Sequence, residues 1–139
     1  MRVAPFALVT AGLGFLVSAV PLLAHHSFAA EFDSAKPMKI TGTVSKVEWM
    51  NPHARFYVDV KETTGKVTNW NFELGAIPVL LKQGWTKNSL KAGDTVTVVG
   101  SLAKDGSNTA SATSVVLADG RRVFGGSSNP KAPGAAVDQ

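Results

Sequence analysis

The stretch Lys39-Ile40-Thr41-Gly42-Thr43-Val44-Ser45-Lys46-Val47-Glu48-Trp49 decides how this chain folds. Ile40, Gly42 and Val44 alternate with Thr41, Thr43 and Ser45, the period-two pattern of a half-buried strand. The phase then slips by one, and Val47 and Trp49 carry the apolar face onward. One inserted residue in an alternating strand is what a β-bulge provides, and Gly42 permits a sharp bend. The pattern predicts a long, strongly curved first strand that begins near Lys39.

Downstream, Asn51-Pro52-His53 breaks the strand, because proline lacks the ladder N–H and Asn-Pro favours a turn. A second strand places Phe56, Val58 and Val60 on one face and Arg55, Tyr57 and Asp59 on the other. Thr64-Gly65 makes a turn into a third strand, from Val67 to Leu74. The period then changes. Ile77, Leu80 and Leu81 are spaced for a short helix, with Pro78 tolerated in its first turn and Gly84 as its stop. Lys91-Ala92-Gly93-Asp94 turns into a fourth strand, Thr95 to Gly100, and a polar loop, Lys104 to Asn108, leads to a fifth from about Ala110 to Leu117. Asp119-Gly120 suits a two-residue hairpin turn, closed by Arg122-Val123-Phe124. The order β-β-β-α-β-β, with a bent first strand, predicts an all-β domain with one short helix, a small OB-like Greek-key barrel. A plain five-stranded sandwich is the rival.

Upstream lies the leader. After Arg2, residues Val3 to Ala24 carry no charge, and small Ala24 stands before His25-His26. A basic start, an apolar middle and a small residue at the cut make a signal peptide over residues 1–24. Val17-Ser18-Ala19 offers a second cut. An uncleaved anchor is the alternative, disfavoured by Pro5, Pro21, Gly12 and Gly14 within the run. Residues 25–124 are then one domain with an N-terminal strap from Ser27 to Pro37, where Phe28 and Phe32 lie four apart. Residues 125–139, rich in Gly, Ser, Pro and Ala, read as a disordered tail. The expected location is periplasmic or secreted, with no membrane span after cleavage.

Composition narrows the chemistry. The 139 residues contain no cysteine, so disulfides, thiolate metal sites and cysteine nucleophiles are excluded. The net charge is +4, and no basic cluster exceeds Arg121-Arg122, so nucleic acid is not the expected partner. Carboxylates such as Glu48, Asp59, Glu62, Glu73 and Asp94 stand singly, as on solvated strand faces. No Gly-x-Ser-x-Gly elbow is present, and the glycine-bearing turns do not form phosphate loops. The expectation is a non-enzymatic binding or accessory module, with no catalytic residues and an unknown small ligand or periplasmic protein as its partner.

Two constellations are candidates for that role. Trp49, Asn51 and His53 cluster at one bend, in the loop that lines the ligand face of OB barrels. They are the candidate ligand or partner face, although holding the proline bend would also explain Asn51 and His53. The second is a metal set. All three histidines, His25, His26 and His53, could ligate copper or zinc, and cleavage after Ala24 would add a terminal amine. The simpler account of the pair is a solvated lead-in, since no H-x-x-x-H spacing supports it. Trp49, Trp70 and Trp85 read as core filling rather than as a stacking platform.

The run His25-His26-Ser27-Phe28-Ala29-Ala30-Glu31-Phe32-Asp33, then Gly42-Thr43-Val44, Val47-Glu48-Trp49 and Asn51-Pro52-His53-Ala54, resembles a bacterial secreted family, domain-of-unknown-function family 6152. Trp70-Asn71-Phe72-Glu73-Leu74-Gly75, Gly84-Trp85-Thr86, Asn88-Ser89-Leu90, Gly93-Asp94 and Asp105-Gly106-Ser107-Asn108 extend the match over most of residues 25–124. Arg55 departs mildly, standing where an aromatic or apolar residue is expected. The resemblance implies an export signal and a small β domain, and no activity.

Overall fold

A computed structural model describes residues 28–125 of the chain; the leader, His25, His26 and residues 126–139 lie outside this range. The described chain forms β1 (Phe32–Glu48), β2 (Arg55–Lys61), β3 (Val67–Glu73), α1 (Ile77–Lys82), β4 (Thr95–Ala103), β5 (Thr109–Leu117) and β6 (Arg122–Phe124). β1 pairs with β2 along one edge and with β4 along the other, both antiparallel. β2 pairs with β3, and β4 with β5. The ring closes through a parallel pairing of β3 with β5, Asn71 opposite Thr109 and Glu73 opposite Ser111. Five strands in the cyclic order 1-2-3-5-4 make a closed Greek-key barrel of the OB type. Closure, rather than a flat sandwich, leaves few ladder groups unpaired at edges.

The phase slip in β1 is a register shift between Val44 and Lys46: Val44 pairs with Val58, and Lys46 with Tyr57. Gly42 is the point of closest approach. A Cβ there would lie 2.4 Å from the Asp59 carbonyl oxygen and 2.6 Å from Val58 Cγ1. Absence of a side chain is what lets β2 fold tightly over β1 at the bend.

β1 starts earlier than alternation indicates, at Phe32 instead of Lys39. Residues 28–31 form a helical turn. Phe32 then pairs with Ala103, and the next pairing is Pro37 with Ser101, so residues 33–36 bulge out of the ladder. Asp33 Oδ1 accepts the Ala35 N–H in this excursion. The turn is anchored where Phe28 packs on Phe32, ring centroids 5.6 Å apart, both buried.

Inward residues fill the barrel. Phe56 and Phe72 stack with centroids 5.2 Å apart, and Val44, Val58, Val96, Val98 and Val115 surround them. Each such side chain contributes roughly 1.5–3 kcal/mol by leaving water. α1, with proline in its first turn, sends Leu80 into this core, and Gly84 ends it at φ +89°. Trp85 and Leu90 follow it inward. Trp49 and Trp70 are partly buried against the same cluster.

Two places differ from the expected form. The Asp119-Gly120 hairpin is a three-residue loop: Gly120 N–H donates to Leu117 O and Leu117 N–H to Arg121 O, with Gly120 at φ +85°. A type I turn followed by a left-handed glycine fits this sequence as well as a two-residue turn does. Gly125, the first residue assigned to the tail, follows β6 and is hydrogen-bonded to β5 and to the exit of β3. Its N–H donates to Thr113 O at 2.9 Å, and its carbonyl accepts from Gly75 N–H at 2.6 Å.

Candidate functional site

The exit of the β1–β2 loop is strapped to the end of β3. Leu74 N–H donates to Ala54 O at 2.8 Å, and Ala54 N–H to Gly75 O at 3.3 Å. Ala54 is fully buried. In an extended chain its two neighbours therefore point the other way, outward and side by side. Those neighbours are His53 and Arg55. Directly opposite Arg55 in the ladder is Glu73, outward between inward Phe72 and Leu74.

These three side chains form one cluster. His53 Nδ1 lies 3.0 Å from Glu73 Oε1, and Arg55 Nη2 donates to Glu73 Oε2 at 2.5 Å. Arg55 Nη1 also reaches Asn71 Oδ1 at 3.4 Å. Glu73 is 8% exposed, so the sequence-based expectation of a solvated carboxylate is corrected. Its burial is offset because each oxygen receives a charged or polar donor. The hydrogen bond to Glu73 holds the His53 pKa above the ordinary imidazole value. Partial burial opposes this, the Glu73 charge reinforces it, Arg55 opposes, and the Glu31 carboxylate adds to the rise.

The cluster borders an open cleft of about 450 Å³, lined by Glu31 and Phe32, by Arg55, and by Lys104, Asp105 and Thr109 around the β4–β5 loop. The helical turn forms one wall and is pinned from across the cleft. Lys104 N–H donates to Glu31 O at 2.8 Å, and Lys104 Nζ to Ala29 O at 2.5 Å. Asp105 Oδ1 accepts the Ser107 N–H and is thereby oriented. The β2–β3 surface together with the β1–β2 and β4–β5 loops is where OB barrels hold ligands.

The outer face of β1–β2–β3 continues from this corner as a polar ladder. Lys46 pairs with Glu48, Tyr57 Oη donates to Glu48 Oε2 at 3.2 Å, and Asn69 bridges Ser45 and Asp59. The bond from Lys46 holds the Glu48 pKa below its ordinary value. Lys39, Lys46, Arg55 and Lys61 are interspersed with Glu48, Asp59 and Glu73 on this face.

The residues expected at the bend are thus dispersed. Trp49 turns toward the core, Asn51 is exposed beside the cis peptide to Pro52, and His53 joins Glu73. His25 and His26, of the expected metal set, lie outside the described residues. Among the described residues, no three His, Asp or Glu side chains are placed to hold a metal. Nor is any helix there long and apolar enough to cross a membrane. Single-residue reading missed Arg55 and Glu73 as a pair. The signal existed: both are equidistant from Thr64, the centre of the turn, so the hairpin register sets them face to face.

Among solved structures, the chain is similar to a mitochondrial single-stranded DNA binding protein from S. cerevisiae, Rim1, in two crystal forms. One form has a TM-score of 0.46 at 11% identity, covering 60% of this chain and 92% of that one. The other has a TM-score of 0.48 at 14% identity, covering 60% and 94%. No curated protein matches the sequence. A family model matches residues 14–112, which take in the helical turn, the Arg55–Glu73 hairpin and the β4–β5 loop, and on that match the chain belongs to the DUF6152 family of unknown function.

Proposed function

We propose that this protein is an exported, periplasmic, non-catalytic binding module. Its ligand is a small polar molecule seated in the cleft between the helical turn 28–31, the start of β2 and the β4–β5 loop. The observation that carries the reading is the buried Glu73 carboxylate, which holds both His53 and Arg55 and so fixes Arg55 in the lining of an open cleft. Fixing long polar side chains in advance lowers the entropy lost when a ligand binds. The reading is non-catalytic because both Glu73 oxygens are engaged, which makes the carboxylate a clamp and not a proton carrier. The apolar leader supports export.

Single-stranded nucleic acid is not the favoured ligand. The outer face of β1–β2–β3 interleaves cations with carboxylates, with a surplus of one positive charge, and its Tyr57 hydroxyl is bound to Glu48. Binding to a phosphate chain draws on surplus positive charge and on aromatic faces open to stacking.

The test is native mass spectrometry of the protein recovered from the exported fraction of its host, beside the Ala30→Trp variant. Ala30 is exposed and lines the cleft, so tryptophan there fills the space without entering the core. The expected result is a small bound species on the wild type that is absent from the variant, with both folded by circular dichroism. An identical bound mass on both proteins, or none on either, would overturn the reading.

A further inference from the structure

Both signs of charge line the cleft: Arg55 and Lys104 on one side of the account, Glu31 and Asp105 on the other. The cations are already directed. Lys104 donates its N–H to Glu31 O and its Nζ to Ala29 O, which ties the helical turn and the β4–β5 loop into one piece. Arg55 is turned to Glu73 Oε2 and, at 3.4 Å, to Asn71 Oδ1. A guanidinium fork holds more N–H donors than these acceptors use. Arg55 lines the cleft with 32% of its side chain exposed, so the unspent donors are accessible. Thr109, which pairs with Asn71 in the ladder, adds a hydroxyl to the lining.

The carboxylates lack such answers. Hydrogen bonds from the Ser107 side chain and N–H hold the Asp105 pKa below its ordinary value, so the group stays charged. Among the described residues, no cation lies within ion-pair distance of Glu31 or Asp105. Glu31 and Arg55 both act electrostatically on His53, with opposite sign, so the two charges stand near each other. They do not close into a pair, because Glu73 and Asn71 hold Arg55. Opposite charges are thus kept apart around an open space of about 450 Å³, whose apolar lining comes from Ala30, Phe32 and Ala103. A ligand with one charge would meet a like charge here: an anion would meet Glu31 and Asp105, and a cation would meet Arg55 and Lys104. Such repulsion is a specificity device against singly charged molecules.

We propose that the cleft binds a small zwitterion, an amino acid whose carboxylate is taken by the Arg55 fork and whose ammonium is taken by Glu31 and Asp105. The proposal rests on the binding-module reading and names its ligand class. A carboxylate can accept two parallel N–H bonds from a guanidinium, and prior fixation of Arg55 by Glu73 lowers the ordering cost of that contact.

The experiment is titration of the purified protein with glycine, β-alanine, γ-aminobutyrate and δ-aminovalerate, followed by calorimetry and NMR. Butyrate and propylamine serve as singly charged controls. At least one member of the series is expected to bind one equivalent, with a Kd below about 1 mM. Each control is expected to bind at least about tenfold more weakly, as loss of one charged contact implies. Glu31→Gln and Arg55→Met are each expected to weaken the best-bound zwitterion by about tenfold or more. Glu31→Gln should also erode the preference for that zwitterion over butyrate, which a general loss of fold would not do. Because Arg55 supports Glu73, each variant is checked by circular dichroism. Glu31→Gln is the decisive one, since its side chain is exposed and its tie to Lys104 runs through the backbone. Absence of saturable binding across the series would overturn the proposal. So would unchanged affinity in Glu31→Gln, or a control that binds as tightly as the zwitterions. Failure here is separable from failure of the wider reading. A wild type that ignores the series yet carries a species lost in Ala30→Trp leaves the cleft as a site for another ligand.

Discussion

Replacing Glu73 by glutamine removes one charge and almost no volume, which makes it the sharpest probe of the cluster. In the native protein the carboxylate is 8% exposed and accepts from both His53 and Arg55. Hydrogen bonds to a charged group contribute about 1.5–3 kcal/mol each. Removal of one partner from a buried pair costs about 3–5 kcal/mol when the other charge cannot escape. Here it can, because the Arg55 and His53 side chains are 32% and 31% exposed. The amide oxygen also retains one bond. We expect Glu73→Gln to destabilise the domain by about 2 kcal/mol, which lowers the Tm by about 8–16 °C for a domain of this size. The assay is thermal and urea unfolding followed by circular dichroism, completed as a cycle with Arg55→Met. Coupling of at least 0.5 kcal/mol, the usual limit of additivity, is expected between the two sites. NMR titration supplies an independent readout: without the carboxylate, burial and Arg55 should bring the His53 pKa below its ordinary value. A loss of stability under about 0.5 kcal/mol, or an unmoved His53 titration, would refute the clamp.

In the wild type the His53 pKa is raised by folding, so protonation favours the native state. The stability it confers is full below the unfolded imidazole value of about 6.5 and is lost as pH rises through the folded pKa. Urea midpoints should therefore fall between about pH 6 and pH 8, and a His53→Gln variant should show a flatter profile. Gly42→Ala should cost about 1–3 kcal/mol, since its Cβ would meet the Asp59 carbonyl at 2.4 Å and β2 must move away; a urea midpoint equal to the wild type would show that the bend has slack. A fluorescent oligo-dT should bind no tighter than about 10⁻⁴ M at physiological salt. Micromolar affinity with a steep salt slope in anisotropy titrations would show that the mixed charges of the outer face do not govern recognition.

Much of the barrel was legible because its devices are local. The slip from Val44 to Val47 marks the bulge, and the period change at Ile77 marks α1. The start of β1 was not legible. Asp33 to Lys36 leave the ladder between Phe32 and Pro37, so no alternation links the two halves of the strand. What holds Phe32 in place is Ala103 across the sheet, a partner remote in sequence. The site failed for a similar reason. Glu73 viewed alone, between Phe72 and Leu74, has the signature of a solvated outward position. Only the pairing with Arg55 and the strap through Ala54 turn that position into an enclosed one. Trp49 illustrates the converse: proximity to His53 along the chain says nothing once the side chain turns to the core.

The placement of Gly125 also bears on how the protein can be handled. Trp85 Nε1 donates to Phe124 O at 2.6 Å, and Gly125 links Gly75 to Thr113. Three distant parts of the chain are thus fastened by two consecutive residues. A Cβ at Gly125 would lie 1.9 Å from the Ala112 carbonyl oxygen. Truncation before Phe124 would therefore unlatch the post-helix segment, the β3 exit and the β5 edge together.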